Sequence, residues 1–299
     1  MLLPGPDVVP VFLLGHLVAD ERSPLRRWLL YFFARRVEMP LLFLAYHATV
    51  GDARFLARWS LTRRVFGRLL GYPIARWVDA GSPAPTAEVL RLIDLQAGAI
   101  AVGPCRCRKA HGRCGHRKET DIVIRTGTEA WTGAFPGEYR AIDRAEAARI
   151  VGECADAGLF HMVFVHCRLG EAMNEYVVCN CCRDGCSVYL ANVHLGQERF
   201  PLIPGNFYAE VARERCAACA ACVAACPWNA RAVRDGIPSV DLPRCFGCGI
   251  CARACASGAT TMRLKDGRLP FRSDLERSVP RDRPDGPAAG YFQGGRRWR

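Results

Sequence analysis

Eight cysteines in the C-terminal third of the chain have the type and the spacing to bind metal. They form two runs of the pattern C-x2-C-x2-C-x3-C, at residues 216–226 and 245–255. Three thiolates at positions i, i+3 and i+6 of a tightly coiled loop converge on three corners of an iron–sulfur cube. The fourth thiolate must come from elsewhere, because the loop cannot close around the cube. The spacing therefore predicts two [4Fe-4S] clusters, which exchange single electrons.

The pattern resembles that of bacterial two-cluster ferredoxins, in which the fourth cysteine of each run binds the other cluster. The resemblance implies a first cluster on Cys216, Cys219, Cys222 and Cys255. It implies a second cluster on Cys245, Cys248, Cys251 and Cys226. Pro227 after Cys226 fits the pattern, whereas its counterpart Ala256 departs from it.

Two other interpretations of these eight cysteines are a pair of zinc sites and a disulfide framework. Zinc ligands usually occur as two separated C-x2-C pairs. Disulfide frameworks are typical of small secreted chains. Neither description suits two identical four-cysteine runs in a chain of 299 residues, so we favour iron–sulfur clusters.

Of the 17 cysteines, eight lie in these runs and nine do not, and seven of the nine form two dense groups. The first group is Cys105, Cys107 and Cys114, and the second is Cys179, Cys181, Cys182 and Cys186. Their density indicates a further metal site that uses a subset, with three thiolates from the first group and one from the second. Soft thiolates select iron–sulfur clusters, zinc or copper(I). A third [4Fe-4S] cluster, zinc, and redox-active thiols without metal therefore remain as alternatives. Cys154 and Cys167 are interpreted as buried, small hydrophobic residues.

Strands and helices must position these groups. A short strand at 99–102 and a return strand at 121–125 flank the first group, which we expect on a loop. A hairpin of two apolar strands, L-F-H-M-V-F-V and Y-V-V, presents the second group at its end. Thr86 is expected to cap a helix that runs to Leu95, and Asp143 with Glu146 forms a capping pair at the start of another.

The N-terminal region is apolar and rich in arginine. Its apolar run at 28–50 is interrupted by Arg35, Arg36 and Glu38, and Pro40 is expected to break any helix there, so we predict no transmembrane span. Residues 52–70 have the pattern of an amphipathic helix. The sequence allows either a small helical domain or a helix that contacts the membrane interface.

The net charge of +12 is carried almost entirely by arginine, since the chain has only three lysines. Such a charge suits an acidic partner protein or an anionic membrane surface. The sequence contains no recognition-helix pattern, so we do not expect nucleic-acid binding. Many cysteines without a secretory signal favour a reducing compartment, so we expect a cytoplasmic protein that has at most peripheral contact with a membrane.

The order of these motifs also resembles bacterial and archaeal proteins with a 4Fe-4S dicluster domain. The resemblance rests on C-x-C-R with a third cysteine, D-A-G-L-F-H, Y-V-V-C-N-C-C-x-x-G-C and the two runs, and covers about residues 98–265. It implies electron transfer. Those relatives usually carry a further cysteine where this chain has Asp121, and a longer N-terminal region.

The sequence therefore predicts an α+β fold in four parts. These are an apolar, arginine-rich helical region at 1–85, a cysteine-rich α+β domain at 86–210, a ferredoxin domain with two clusters at 211–268 and a disordered basic tail at 269–299. The predicted function is single-electron relay to or from a redox partner protein. The alternatives are an oxidoreductase with substrate chemistry at the C-N-C-C group and a redox or metal sensor.

Overall fold

The structure, a computed structural model of the 299-residue chain, describes residues 28, 32–72, 81–94, 99–124, 127–166 and 175–266. Within these ranges the fold is α+β, as the sequence predicts. The predicted disordered tail and Cys167 lie outside the described residues.

Helices and strands alternate along most of the described chain. The helices are α1 (Met39–Thr49), α2 (Phe55–Arg58), α3 (Ser60–Phe66), α4 (Thr86–Asp94), α5 (Arg106–His111), α6 (Gly127–Ala134), α7 (Arg144–Asp156), α8 (Ser187–Leu195), α9 (Ala221–Ala225) and α10 (Ile250–Arg253). The strands are β1 (Ser82–Ala84), β2 (Ile100–Pro104), β3 (Glu119–Ile124), β4 (Arg140–Ile142), β5 (Phe160–His166), β6 (Glu175–Cys181), β7 (Phe207–Val211), β8 (Arg231–Arg234), β9 (Ile237–Val240) and β10 (Thr260–Leu264).

A six-stranded antiparallel sheet forms the centre of the molecule, with strand order β1-β5-β6-β3-β2-β4. The predicted hairpin of β5 and β6 is present, and it pairs Met162 with Cys179. On its other side, β6 pairs Cys179 with Asp121 of β3. The register therefore sets Cys179 of the second cysteine group beside Asp121.

The two faces of this sheet carry different cores. Alternate residues of β6 point to opposite faces, so Val177 packs with Met162 in one core and Val178 packs with Ile122 in the other. Residues of α8 belong to the first core, which we call the inner face. Residues of α4 and α7 cover the second, which we call the outer face.

Helix α7 begins as the capping pair predicts, because the Asp143 side chain accepts a hydrogen bond from the backbone N–H of Glu146. The prediction for α4 differs in detail. The Thr86 hydroxyl lies 3.0 Å from His161 Nε2 on β5, so this side chain joins the helix to the sheet.

The prediction that Pro40 breaks the N-terminal helix is wrong. Residues Phe33–Glu38 are π-helical and lead directly into α1, which carries Pro40 in its first turn. The helix is continuous through Glu38, so Pro40 lies within it, shortly after a π-helical stretch that departs from the α-helical hydrogen-bond pattern. Within the described ranges, no helix combines the length and the apolar character that crossing a bilayer requires.

The single amphipathic helix predicted at 52–70 is instead divided. Trp59 is extended, with φ −87° and ψ 137°, and separates α2 from α3. A π-helical turn, Gly67–Gly71, follows α3. The Thr62 hydroxyl donates a hydrogen bond to the Phe55 carbonyl and so connects the two sides of the break.

The C-terminal module consists of the two cysteine runs, α9, α10 and two small sheets. Strands β8 and β9 form a hairpin whose turn contains Asp235 and Gly236, both with positive φ. Strand β7 pairs with β10 at the end of the module.

Two elements cross the predicted domain boundaries. Strand β1 precedes the boundary at residue 85 but pairs with β5, so it belongs to the central sheet. Strand β7 begins before residue 211 but pairs with β10, so it belongs to the C-terminal module. Both differences have one cause, because strand pairing over long sequence separations leaves no local signal.

Candidate metal centres

The two cysteine runs of the C-terminal module adopt matching backbone turns. Ala218 and Ala220 of the first run have φ of 53° and 56°, and the equivalent Gly247 and Gly249 of the second run have φ of 75° and 81°. Left-handed residues at both positions coil each loop tightly. Such coiling is what the convergence of three thiolates requires.

The four cysteines assigned to the second cluster lie together, although Cys226 comes from the first run. Cys226, Cys245, Cys248 and Cys251 line one cavity. Burial raises the pKa of Cys248 well above its ordinary value, and these three neighbouring thiols raise it further. A cavity bounded by four soft ligands fits a [4Fe-4S] cluster. Ligation by these residues stays a prediction.

The cysteines assigned to the first cluster range from exposed Cys219 to buried Cys222. Hydrogen bonding to Ser257 and to the backbone N–H of Thr260 lowers the pKa of Cys255 to about 7. This favours the thiolate, which is the form that binds metal. Cys222 and Cys251 share a small core with Ala209, which places the two runs side by side.

Arg231 is a buried charge inside this module. Its Nη2 atom donates to Cys222 Sγ over 3.0 Å and to Thr260 Oγ1 over 3.2 Å. Its Nε and Nη1 atoms are buried without a hydrogen-bond partner. A buried guanidinium needs a compensating anion. A cluster of sulfides and thiolates meets that need, so Arg231 also fits the group that the cysteine pattern implies.

Four of the upstream cysteines form a contiguous group on the inner face, which we call the four-thiol site. Its members are Cys105, Cys107, Cys181 and Cys186. Cys107 interacts with Cys105 and Cys186, and Cys186 interacts in turn with Cys181. Contact with Cys105 lowers the pKa of Cys107, but contact with Cys186 and burial raise it by more. Such thiols stay protonated until a metal ion displaces the protons.

Short helices bring these thiols together. Cys107 lies in α5, not on the open loop that the sequence predicts, and Cys186 immediately precedes α8. Backbone N–H groups at the starts of the two helices donate to three of the thiols: Arg108 to Cys105, Ser187 to Cys107 and Tyr189 to Cys186. Since the first N–H groups of a helix have no intrahelical acceptor, they are free to stabilise thiolates.

Asp121 lies beside the four-thiol site and is buried. It accepts hydrogen bonds from Cys179 Sγ at 3.2 Å and from the Tyr139 hydroxyl at 2.6 Å. Tyr139 reaches this position across Gly103, where any side chain would overlap its ring. Burial raises the pKa of Asp121, although both hydrogen bonds and the charge of Arg106 oppose the shift. The carboxyl group thus binds the thiol of Cys179, which itself lies near Cys105 and Cys107.

The structure does not place Cys114 with Cys105 and Cys107. Its Sγ lies 3.3 Å from that of Cys182, and both side chains belong to the core of the outer face. The geometry thus favours a different subset from the predicted one, in which Cys114 supplies the third thiolate. Cys182 is separated from Cys181 because neighbouring residues at the end of a strand point to opposite faces.

Arg108 lies between the two thiol groups and is almost fully buried, at 2% exposure. It donates to the carbonyl oxygens of Arg117 and Asn180, at 2.6 and 2.9 Å. Nearby Cys105, Cys182 and Cys114 outweigh the effect of burial and raise its pKa. Its permanent charge therefore offsets negative charge on either group.

Four aromatic rings, which we call the aromatic bridge, connect the upstream region to the C-terminal module. They are Phe160, Tyr189, Trp228 and Phe246. The Phe160, Tyr189 and Trp228 rings lie 5.1 to 5.4 Å apart between centroids, and Trp228 stacks on Phe246 at 4.7 Å. Phe160 pairs with Cys181 in the sheet, and Phe246 follows Cys245. The bridge thus runs from the four-thiol site to the second cysteine run.

Sequence reasoning missed several of these residues. Tyr139 and Arg231 belong to no motif, and the C-x-C-R motif contains Arg108 without indicating its position; only burial in the fold reveals the three. Asp121 carried one available signal, since it directly precedes the apolar run I-V-I of β3. A charge at that position needs a buried partner, and Cys179 supplies it.

Comparison with known proteins agrees with the geometry of the C-terminal module. No curated protein and no solved structure matches the chain. The family model described as "4Fe-4S dicluster domain" matches residues 208–256. That segment begins in β7 and contains both cysteine runs. The chain therefore carries a 4Fe-4S dicluster domain at its C-terminal end.

Proposed function

We propose that this protein relays single electrons between its dicluster domain and a third iron–sulfur centre at the four-thiol site. The observation that carries the proposal is the aromatic bridge, which links the two regions through a continuous, buried set of contacts. A [4Fe-4S] cluster supplies reversible one-electron reduction.

The side chains of the bridge also fasten the two regions together. The Tyr189 hydroxyl donates to the Pro227 carbonyl at 2.6 Å, next to Cys226. The Trp228 indole donates to Asn192 Oδ1 at 3.2 Å. Burial raises the pKa of Tyr189, and both Cys186 and Cys226 contribute to the shift. The Tyr189 side chain therefore lies close enough to interact with one cysteine from each region.

A second contact fixes the loop that follows β6 to the dicluster domain. Arg183 Nη1 donates to the Ala224 carbonyl at 3.1 Å. The loop contributes Cys186 to the four-thiol site, while α9, which contains Ala224, immediately precedes Cys226. These contacts hold the two regions against each other, which suits electron exchange.

Four thiolates are a ligand set that a [4Fe-4S] cluster accepts. Cys107 and Cys186 each contact two other thiols of this site, and Cys181 also lies near Cys105 and Cys107. Donation from backbone N–H groups, as found here, is typical of iron–sulfur sites.

Iron and acid-labile sulfide per chain, measured after anaerobic purification, test the proposal. We expect about twelve irons in the native protein, falling to about eight in Cys105→Ala and Cys186→Ser. Cys154→Ser is the matched control, because Cys154 is also buried but lies in the outer-face core, and its iron content should equal that of the native protein. About eight irons in the native protein and both variants would exclude the third cluster and leave the dicluster domain intact.

An oxidoreductase with its own substrate is a second candidate, and the pairing of Cys179 with Asp121 favours it. A thiol beside a buried carboxyl group is a potential proton-transfer pair. If the reduced protein oxidises with a small acceptor over many turnovers, in the absence of any other protein, the relay proposal is wrong. We expect oxidation only when a redox partner protein is added.

A further inference from the structure

Four side chains outside the four-thiol site lie close enough to share one ion. They are Cys114, His116, Cys182 and Asp184, and their potential ligand atoms all lie within 4.8 Å of one another. The Cys114 and Cys182 sulfur atoms are 3.3 Å apart, and His116 Nε2 lies 3.8 Å from Asp184 Oδ1. Both thiols are buried, whereas the imidazole and the carboxylate are partly exposed.

These distances match a single ion and not a cube. Two thiolates on one tetrahedral zinc ion, each at about 2.3 Å from it, are about 3.8 Å apart. Thiolates on two different irons of a cluster cannot approach as closely as Cys114 and Cys182 do. This pair is therefore unsuited to a place in a [4Fe-4S] cluster.

The local backbone is built to allow this approach. A side chain at Gly185 would lie 2.7 Å from Cys114 Cβ and 3.3 Å from Cys182 Sγ. The carbonyl oxygen of Gly185 lies 2.8 Å from His111 Nε2, and this contact holds the loop against α5. Gly112, with φ of 65°, ends α5 and turns the chain towards Cys114.

Charge also suits a cation with two thiolates. Two thiolates and a carboxylate around one divalent ion leave a net negative charge, and buried Arg108 lies next to both cysteines. Thiolate, imidazole and carboxylate are all ligands that zinc accepts in tetrahedral sites. Asp184 and His116 complete the set from the solvent side.

We propose that Cys114, His116, Cys182 and Asp184 bind one zinc-class divalent ion, separate from every iron–sulfur centre. The ion would fix the loop between β6 and α8. That loop supplies Cys186 to one site and Arg183 to the contact with the dicluster domain. The role of this site is therefore structural.

The test uses the full-length protein, purified anaerobically, and measures zinc and iron separately. We expect about one zinc per chain in the native protein and in Cys154→Ser. Cys114→Ser and His116→Ala should each lose most of the zinc while the iron content stays that of the native protein. Replacement by Co²⁺ should give thiolate-to-cobalt charge-transfer absorption that is absent in Cys114→Ser.

Two results would overturn the proposal. One is a native protein that holds no zinc, and a loss of iron in its Cys114→Ser variant would assign Cys114 to a cluster. The other is a Cys114–Cys182 disulfide in that protein, detected by mass spectrometry after alkylation. His116→Ala guards against misfolding, because His116 is partly exposed and its loss removes no core packing. Zinc and iron are counted independently, so failure here is distinguishable from failure of the relay proposal.

Discussion

Charged side chains stand beside the thiols of this protein at three buried positions. Arg231 contacts Cys222, Arg108 lies between the two upstream groups, and Asp121 accepts from Cys179. Burying a charge costs several kcal/mol unless a counter-charge or hydrogen bonds offset it. The two arginines therefore indicate where negative charge collects when the cysteines bind metal. Asp121 has the opposite effect, because a buried carboxyl group favours the protonated, neutral form of its neighbour Cys179.

Arg231 should tune the dicluster domain. Removing a positive charge near a cluster favours its oxidised, less negative state, so Arg231→Leu should lower a reduction potential of the domain by about 100 mV. Protein-film voltammetry measures the shift. Arg234→Leu, an exposed change on the same strand, is the control and should leave the potential almost unchanged. Equal potentials in the two variants would contradict an electrostatic role for Arg231.

At the scale of elements, the cysteine loops are set by their backbone turns. Both runs use left-handed residues at the same two positions, but only the second run has glycine there. At Gly247 a side chain would also overlap the Phe207 carbonyl of β7. The second loop is therefore packed against β7, the strand that pairs with β10. The first loop instead carries alanines in a strained, left-handed conformation.

Matched substitutions at one position of each loop separate strain from packing. Gly247→Ala should lower the free energy of unfolding by at least about 2 kcal/mol, because strain and overlap with β7 act together. Ala218→Gly at the equivalent position should raise it by up to about 1 kcal/mol, because it relieves strain alone. Denaturant unfolding under anaerobic conditions measures both. A neutral Gly247→Ala variant would show that β7 does not pack on this loop.

At the scale of the whole molecule, exposed apolar side chains concentrate in the N-terminal region. Trp59, Leu61 and Leu69 are each more than 60% exposed. Arginines accompany them throughout this region: Arg35, Arg36, Arg54, Arg58, Arg63, Arg64 and Arg68. Aromatic and aliphatic side chains interleaved with arginine are typical of surfaces that lie in the headgroup layer of an anionic membrane.

We expect the full-length protein to sediment with vesicles that contain phosphatidylserine and much less with vesicles of phosphatidylcholine alone. Trp59→Ser combined with Leu69→Ser should weaken vesicle binding about tenfold or more, because two large apolar side chains are lost. Leu242→Ser, an exposed change in the dicluster domain, is the control. If the protein binds neither kind of vesicle but binds an acidic redox protein, this N-terminal surface is a binding site for a protein partner instead.

The two halves of the molecule differ in how far the sequence predicts them. The dicluster domain is predictable because its ligands follow one another at fixed local spacing, from Cys216 to Cys255. The upstream grouping is not, because Cys107 meets Cys186 only through tertiary contacts, such as those of Arg108 with the Asn180 carbonyl and of His111 with the Gly185 carbonyl. The role of Asp121 depends in the same way on the register of β3 with β6. Spacing identifies ligands on one loop, and only tertiary structure identifies ligands shared between loops.

The alternation of side chains along β6 bears on how the protein acquires its metals. Cys179 and Cys181 point to one face of the sheet and Cys182 follows on the other. In the unfolded chain these cysteines are neighbours that a single zinc ion could capture together. Once β6 is paired on both sides, no ion can reach across the sheet. Folding therefore determines which thiols can bind the same metal. Zinc that is present before the chain folds should compete with iron for these thiols.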